Sequence, residues 1–212
     1  MTHTIECHKT VEAPISQVLF TEAEIRTRVR ALGEAISHDY AGQTPLLVGV
    51  LKGVLVFMAD LLRAITIPVK VDFMSISSYN PQTREQGVVR IVKDLSTPVT
   101  DQHVVFVEDV IDTGLTLDYL LRYLRSQQPA SLQVCVLFNR TARRLIDIPL
   151  PYVGFDVPDR FLIGYGLDFR EKYRSLPYVG ILHPDALAGN LPKTGKETRN
   201  DKPSHQDPAR VG

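Results

Sequence analysis

Residues 103–130, HVVFVEDVIDTGLTLDYLLRYLRSQQPA, decide how this chain folds. Five apolar or β-prone residues, His103–Val107, read as a strand buried on both faces. Leu117, Leu120, Leu121 and Leu124 then recur at helical spacing. Between them lies Glu108-Asp-Val-Ile-Asp-Thr-Gly-Leu-Thr116, a polar link with one glycine. Strand, tight polar link and helix make the first half of a βαβ unit. In an open parallel sheet, ligands gather beyond the carboxyl ends of the strands. The link therefore marks a candidate site.

Working outward, the same alternation recurs. PLLVGVL at 45–51 is a short continuous apolar run. It passes through Lys52-Gly53 into VLVFMADLLRAI, which is long enough for a helix. Upstream, Thr21-Glu-Ala-Glu24 is a capping box, and Ile25, Val29, Leu32 and Ile36 form one helical face, with Gly42 as a stop. Val69–Ser77 and 88–95 read as strands joined by the polar segment SSYNPQTREQG. Further strands are expected at Ser131–Phe138, Tyr152–Val157 and Tyr178–Leu182. Strands alternating with helices predict an α/β domain with a mainly parallel central sheet.

Composition sets outer bounds. The 212 residues hold 24 Lys+Arg and 24 Asp+Glu, and 44% are hydrophobic. Zero net charge disfavours a protein that coats nucleic acid or an anionic membrane. Cys7 and Cys135 form no metal or disulfide pattern, and no apolar stretch approaches the length of a membrane span. The opening MTHTIECHKTVEAP has no apolar core of a signal peptide. A soluble, cytoplasmic protein is expected. The zero averages two unlike parts: residues 189–212 carry five basic and three acidic side chains and only three apolar ones, so residues 1–188 hold 19 against 21. The last 24 residues are too polar to offset their ordering entropy, and a disordered tail is expected there.

The chemistry-bearing residues sit at strand ends. Glu108-Asp109 is either a pair of solvated acids or a holder of ribose hydroxyls and hydrated Mg²⁺. Asp112 stands where a helix N-cap would. Thr113, Gly114, Leu115 and Thr116 open the helix, whose free amides suit a phosphate. Lys52 interrupts an apolar passage and either reaches outward to water or binds a ligand. Cys135 reads as a core residue, His38, His103 and His183 show no ligand spacing, and Arg143-Arg144 reads as a solvated or interface patch.

With these motifs in hand, the chain resembles the type I phosphoribosyltransferases, and among them the hypoxanthine(-guanine) branch. The stretch 108–116 resembles their binding motif for phosphoribosyl diphosphate (PRPP). Leu51-Lys52-Gly53, Ser78-Tyr79, VGFDVPDRF at 153–161, GYGLD at 164–168, Arg174 and LPYVG at 176–180 follow in the family's order. The resemblance implies a small hood, from the N-terminal segment and about 152–183, over the central sheet. It implies transfer of ribose 5-phosphate from PRPP to N9 of hypoxanthine, and of guanine too, with Mg²⁺. Asp112 would be the general base at purine N7. Glu108 and Asp109 would hold ribose hydroxyls and, with Asp168, Mg²⁺. Thr113–Thr116 would cradle the 5′-phosphate, and Lys52, Gly53 and Arg174 the pyrophosphate, through a Leu51–Lys52 peptide that can be cis. Ser78 and Tyr79 would close a lid over the reacting centre. Phe161 would stack on the base, the Leu162 backbone would read its edge, and Arg140, where the family usually has lysine, would donate to the 6-oxo group. A homodimer or homotetramer is expected, with no nucleic-acid or membrane partner. The alternatives are a transferase for another base such as xanthine, or a PRPP-fold regulator that binds nucleotide and RNA. The second should carry a large basic face, which the net of 1–188 disfavours.

Overall fold

The computed structural model describes residues 13–79 and 86–189. Residues 80–85 of the expected lid and 190–212 of the expected tail lie outside the described residues. Nine strands and four helices follow in chain order: β1 (Ile15–Phe20), α1 (Glu22–Asp39), β2 (Leu46–Leu51), α2 (Leu55–Ala64), β3 (Lys70–Tyr79), β4 (Gln86–Lys93), β5 (His103–Ile111), α3 (Leu115–Ser126), β6 (Ser131–Asn139), β7 (Tyr152–Asp156), β8 (Leu162–Ile163), β9 (Val179–Leu182) and α4 (Pro184–Leu187).

Six strands make the large sheet in the order β4-β3-β2-β5-β6-β7, parallel except for the antiparallel β3–β4 pair. Side-chain alternation explains why the strands are apolar without a break. Leu47, Val105, Val107, Cys135 and Leu137 pack on one face with α1 and α2. Leu46, Val48, Val104, Phe106, Val134 and Val136 pack on the other with α3. Each such aliphatic or aromatic side chain, fully removed from water, contributes roughly 1.5–3 kcal/mol, and both faces of the sheet receive them.

Chain order reverses between β2 and β5. The chain leaves β2 toward one face through α2 and leaves β5 toward the other through α3. A crevice opens at such a switch point because the two crossovers diverge. It brings Lys52-Gly53 beside Asp109–Gly114, the two polar links singled out in the sequence.

A second sheet of three antiparallel strands, β1-β9-β8, is built from both ends of the described chain. Two of its strands were not expected. Ile15–Phe20 has the mixed exposure of a half-covered edge strand, and Leu162–Ile163 has two residues, too short for periodicity to register. Tyr152–Asp156, expected at the start of the hood, is instead the edge strand of the large sheet, pairing with β6 from Cys135↔Tyr152 to Asn139↔Asp156. Arg28 of α1 covers that open edge, donating to the carbonyls of Val153 and Gly154 at 2.7 Å each. The first long helix begins at Thr21 as expected but ends at Asp39 with Tyr40 as its cap, before Gly42. No described helix is long and apolar enough to cross a membrane.

Candidate active site

The strand carrying Glu108 and Asp109 runs further than its sequence suggests. β5 continues through both acids to Ile111, because Val110 and Ile111 pair with Phe138 and Asn139 of β6. The acids are therefore rigid strand residues rather than loop residues. One Glu108 carboxylate oxygen is buried with no hydrogen-bond partner among the described residues. Burial, then the charge of Asp109, drives the Glu108 carboxyl well above the usual range. Burial pushes Asp109 up to about 6. Hydrogen bonds from the Val110 amide and its own, and the charge of Arg174, act in the opposite direction, while Asp168 adds to the rise. Two adjacent acids held this way are stabilised by hydroxyl donors or a cation arriving beside them.

After Ile111 the chain turns into α3. Gly114, at φ 84°, takes the N-cap position and has no side chain to cap the helix; Thr113 Oγ1 accepts from the Leu115 amide only at 3.4 Å. The capping role open to Asp112 in the sequence is thus not used. Its Oδ2 lies 3.3 Å from Arg140 Nη1 and 3.5 Å from Arg143 Nη1, and its Oδ1 is buried without a partner among the described residues. Arg140 also donates to the Arg160 carbonyl at 2.8 Å, and its Nε is buried with no partner among the described residues. An acceptor carboxylate and a donor guanidinium thus stand side by side.

Lys52 and Gly53 follow β2, and the Leu51–Lys52 peptide is cis. A Cβ on Gly53 would collide with the Asp109 carboxylate, so glycine is required for this approach. Lys52 points outward and pairs with Glu171 at 2.9 Å. Both side chains are about two-thirds exposed, 67% and 66%, so solvent competes for the pair and Lys52 remains available to an anion. Arg174 holds Asp168 at 2.8 Å, reaches Glu171 at 3.6 Å and donates to the Gly166 carbonyl at 2.8 Å. Asp168 also accepts from the Glu171 amide at 2.8 Å.

A cavity of about 400 Å³ joins these parts. Gly53, Asp109, Arg140, Phe161, Leu162, Asp168 and Arg174 line it, with Val110 and Leu167. Phe161 is 42% exposed and stands edge-on to Phe169, with ring centroids 5.7 Å apart. Leu162 is buried and held by pairing with Ile181. The cavity therefore collects Gly53, Asp109, Arg140, Phe161, Leu162, Asp168 and Arg174 from the separated motifs, whereas Lys52, Glu108, Asp112 and the cradle Thr113–Thr116 lie outside its lining. Ser78 and Tyr79 belong to β3, and the segment beyond them lies outside the described residues.

No three His, Cys, Asp or Glu side chains among the described residues come together as a metal cage. Mg²⁺ does not need one, since it takes one or two carboxylates and completes its shell with water and substrate oxygens. The orphaned Glu108 oxygen and the raised Asp109 and Glu108 carboxyls fit such a cation nearby.

Three further residues belong to this region without having been singled out for it. Arg143 bridges Asp112 and Asp159, at 3.5 Å and 2.5 Å. Arg144 turns inward rather than into solvent, donating to Asn139 Oδ1 at 2.6 Å. This corrects the reading of Arg143-Arg144 as a solvated or interface patch at Arg144 alone, since Arg143 stays half exposed. Glu171 lies midway between Asp168 and Arg174, and that spacing was its only trace in the sequence. Cys135 is a buried free thiol, as expected, its pKa pushed far up by burial.

This fold and cleft define a class, and comparison with known proteins gives the same one. The family model for the phosphoribosyl transferase domain matches residues 18–170. A hypoxanthine-guanine phosphoribosyltransferase of Streptococcus agalactiae is 46% identical over 172 residues, 81% of this chain and 96% of that one. Another, from Mycobacterium tuberculosis, is 46% identical over 80% of this chain and 87% of its own. Among solved structures, a hypoxanthine phosphoribosyltransferase of Staphylococcus aureus superposes with a TM-score of 0.77 at 40% identity, covering 82% of this chain and 94% of that one. The Trypanosoma cruzi hypoxanthine phosphoribosyl transferase, studied for the role of its C-terminal region in oligomeric state and activity, gives a TM-score of 0.79 at 36% identity, covering 85% and 98%. The chain belongs to the hypoxanthine-guanine phosphoribosyltransferase family.

Proposed function

We propose that this protein is a purine salvage enzyme that transfers ribose 5-phosphate from PRPP to N9 of hypoxanthine, and of guanine as well, releasing pyrophosphate. The observation that carries the base class is the Asp112–Arg140 pair at 3.3 Å. A 6-oxopurine presents an N7–H donor beside an O6 acceptor, and the pair presents an acceptor beside a donor. Adenine puts an amino group where O6 would be and meets a guanidinium donor instead.

In this reading the start of α3, Thr113–Thr116, takes the 5′-phosphate, since its N-cap is a glycine with no capping side chain. Glu108 and Asp109 accept from the ribose hydroxyls. Lys52, the Gly53 backbone and Arg174 hold the pyrophosphate group, with Glu171 displaced from Lys52. Phe161 stacks on the purine, and the Leu162 backbone reads its edge. As N9 bonds to C1′, the C1′–O bond breaks, its electron pair leaves with pyrophosphate, and the N7 proton passes to Asp112. Charge at C1′ rises in the transition state, and the fixed carboxylates below it favour that state. Glu108, Asp109 and Asp168 would hold Mg²⁺, which would supply charge neutralisation for the pyrophosphate. Ser78 and Tyr79 close over the centre and exclude water. The small sheet β1-β9-β8 acts as the hood that delivers Phe161 and Leu162. We read the enzyme as a cytoplasmic homodimer or homotetramer with small-molecule substrates only.

A steady-state panel of hypoxanthine, guanine, xanthine and adenine with PRPP and Mg²⁺ tests this. Turnover of hypoxanthine and guanine, and none of adenine, is expected. Turnover confined to adenine, or to none of the four, overturns the reading.

A further inference from the structure

Arg144 carries a charge that nothing in the site uses. Its Nη2 donates to Asn139 Oδ1 at 2.6 Å, and Asn139, itself buried, donates onward to Asp156 at 2.7 Å. The remaining nitrogens, Nε and Nη1, are buried with no partner among the described residues, and no described carboxylate pairs with the guanidinium. Removing a cation from water without a counter-charge is unfavourable, so a fold keeps such a group only where something else offsets the loss of hydration.

Its neighbour suggests what. The stem of Arg144 lies against the back of the phosphate-binding turn, where a Cβ on Gly114 would stand 3.4 Å from its Cδ. The same segment is stitched to that turn by backbone bonds, Arg140 N to the Ile111 carbonyl at 3.0 Å and Leu145 N to the Thr113 carbonyl at 2.9 Å. The turn itself, Thr113-Gly114-Leu115-Thr116, offers amides and hydroxyls but no cation. A phosphate monoester brings nearly two negative charges at neutral pH.

We propose that Arg144 is a positioning residue for the 5′-phosphate: anchored by Asn139 and Asp156, it buttresses the 113–116 turn from behind and supplies the positive charge the turn lacks. It acts through the turn and does not touch substrate. This rests on the reading of 113–116 as the 5′-phosphate site.

The test is calorimetric binding of IMP and of inosine to the full-length protein, which differ only in the phosphate. Arg144→Gln should weaken IMP roughly tenfold, about 1.4 kcal/mol, and leave inosine unchanged. Arg144→Lys, which keeps the charge but loses the fork that grips Asn139, should recover part of the loss. Should Arg144→Gln fail to fold, Arg144→Lys and Asn139→Ala carry the test, each expected to weaken IMP several-fold with inosine unaffected. Equal loss for both ligands makes Arg144 a packing residue and sinks the proposal, as does unchanged IMP binding. Failure of the wild-type protein to bind IMP at all would instead overturn the assignment of the phosphate site.

Discussion

Two helices of this molecule begin in opposite ways. At α1 the chain satisfies its own amides: Thr21 Oγ1 accepts from the Glu24 amide at 3.3 Å, and the Thr21 amide donates back to the Glu24 carboxylate at 2.8 Å. At α3 the N-cap is a left-handed glycine with no side chain to offer, only a long contact of 3.4 Å from the Leu115 amide to Thr113 Oγ1 is made, and an arginine with no carboxylate partner among the described residues lies behind it. Both ends carry the same partial positive charge from the peptide dipoles. The first neutralises it internally for stability, and the second leaves it for a ligand. An N-terminus in this fold is thus a choice between stability and binding, made by three or four side chains.

The sharpest way to separate the two roles is Asp112→Asn. Asparagine caps a helix as well as aspartate does but takes no proton. If Asp112 is the general base, kcat falls roughly 100- to 10,000-fold, while Tm and the affinity for PRPP hold. Wild-type turnover in a stopped assay removes Asp112 from the chemistry.

Thr113→Asp breaks the comparison by giving α3 the internal anion that α1 has. IMP binding, measured by calorimetry, should drop on the order of a hundredfold or more through repulsion of the phosphate. Tm should stay level or rise, since an acid at this end stabilises the helix by roughly 0.3–1 kcal/mol. Unimpaired IMP binding would show that the turn does not hold phosphate.

Gly114→Ala attacks the turn's shape rather than its charge. A left-handed alanine costs roughly 1–2 kcal/mol, so Tm falls by a few degrees, and KM for PRPP should rise about tenfold with a smaller change in kcat. An unchanged KM would mean that the turn tolerates a side chain against Arg144.

The smallest effect is expected at the other helix. Thr21→Ala should cost about 1 kcal/mol of stability and leave kcat/KM unchanged, because α1 faces no substrate. Its pH dependence follows from Glu24, whose pKa is lowered first by the Thr21 hydroxyl and then by the Thr21 amide. A carboxyl depressed on folding contributes stability above its ordinary value and loses it as pH falls through the folded value. The gap in Tm between wild type and Thr21→Ala should therefore close as pH drops below about 4.5. A gap that persists at pH 3 would deny the ion its part in the cap.

These two helix starts also show where sequence reading succeeds. The capping box at Thr21–Glu24 was legible because all its partners lie within four residues. So were β2, β5 and β6, whose apolar runs are long and covered on both faces, and the polar links at 52–53 and 108–116 that interrupt them. β1 and β8 were not legible, since their pairing with β9 joins residues 159 to 167 and 17 to 19 positions apart. The inward turn of Arg144 was hidden for the same reason. An Arg-Arg pair after a strand looks solvated until Asn139, Asp156 and the back of Gly114 are seen around it.

By itself the sequence determined the α/β alternation, the motif that suits a phosphate and the acids beside it, because those depend on periodicity and on neighbours in the chain. It also established that phosphate recognition cannot come from net charge, which is zero over the whole chain. Only the tertiary structure decided that Asp112 faces Arg140 and Arg143 instead of capping α3, that Glu171 occupies Lys52, and that a buried guanidinium stands behind the phosphate turn. Those contacts join segments 28 to 119 residues apart, and the pairing of β6 beside β5 and the packing of Gly166 against Gly53, not local spacing, bring them within reach.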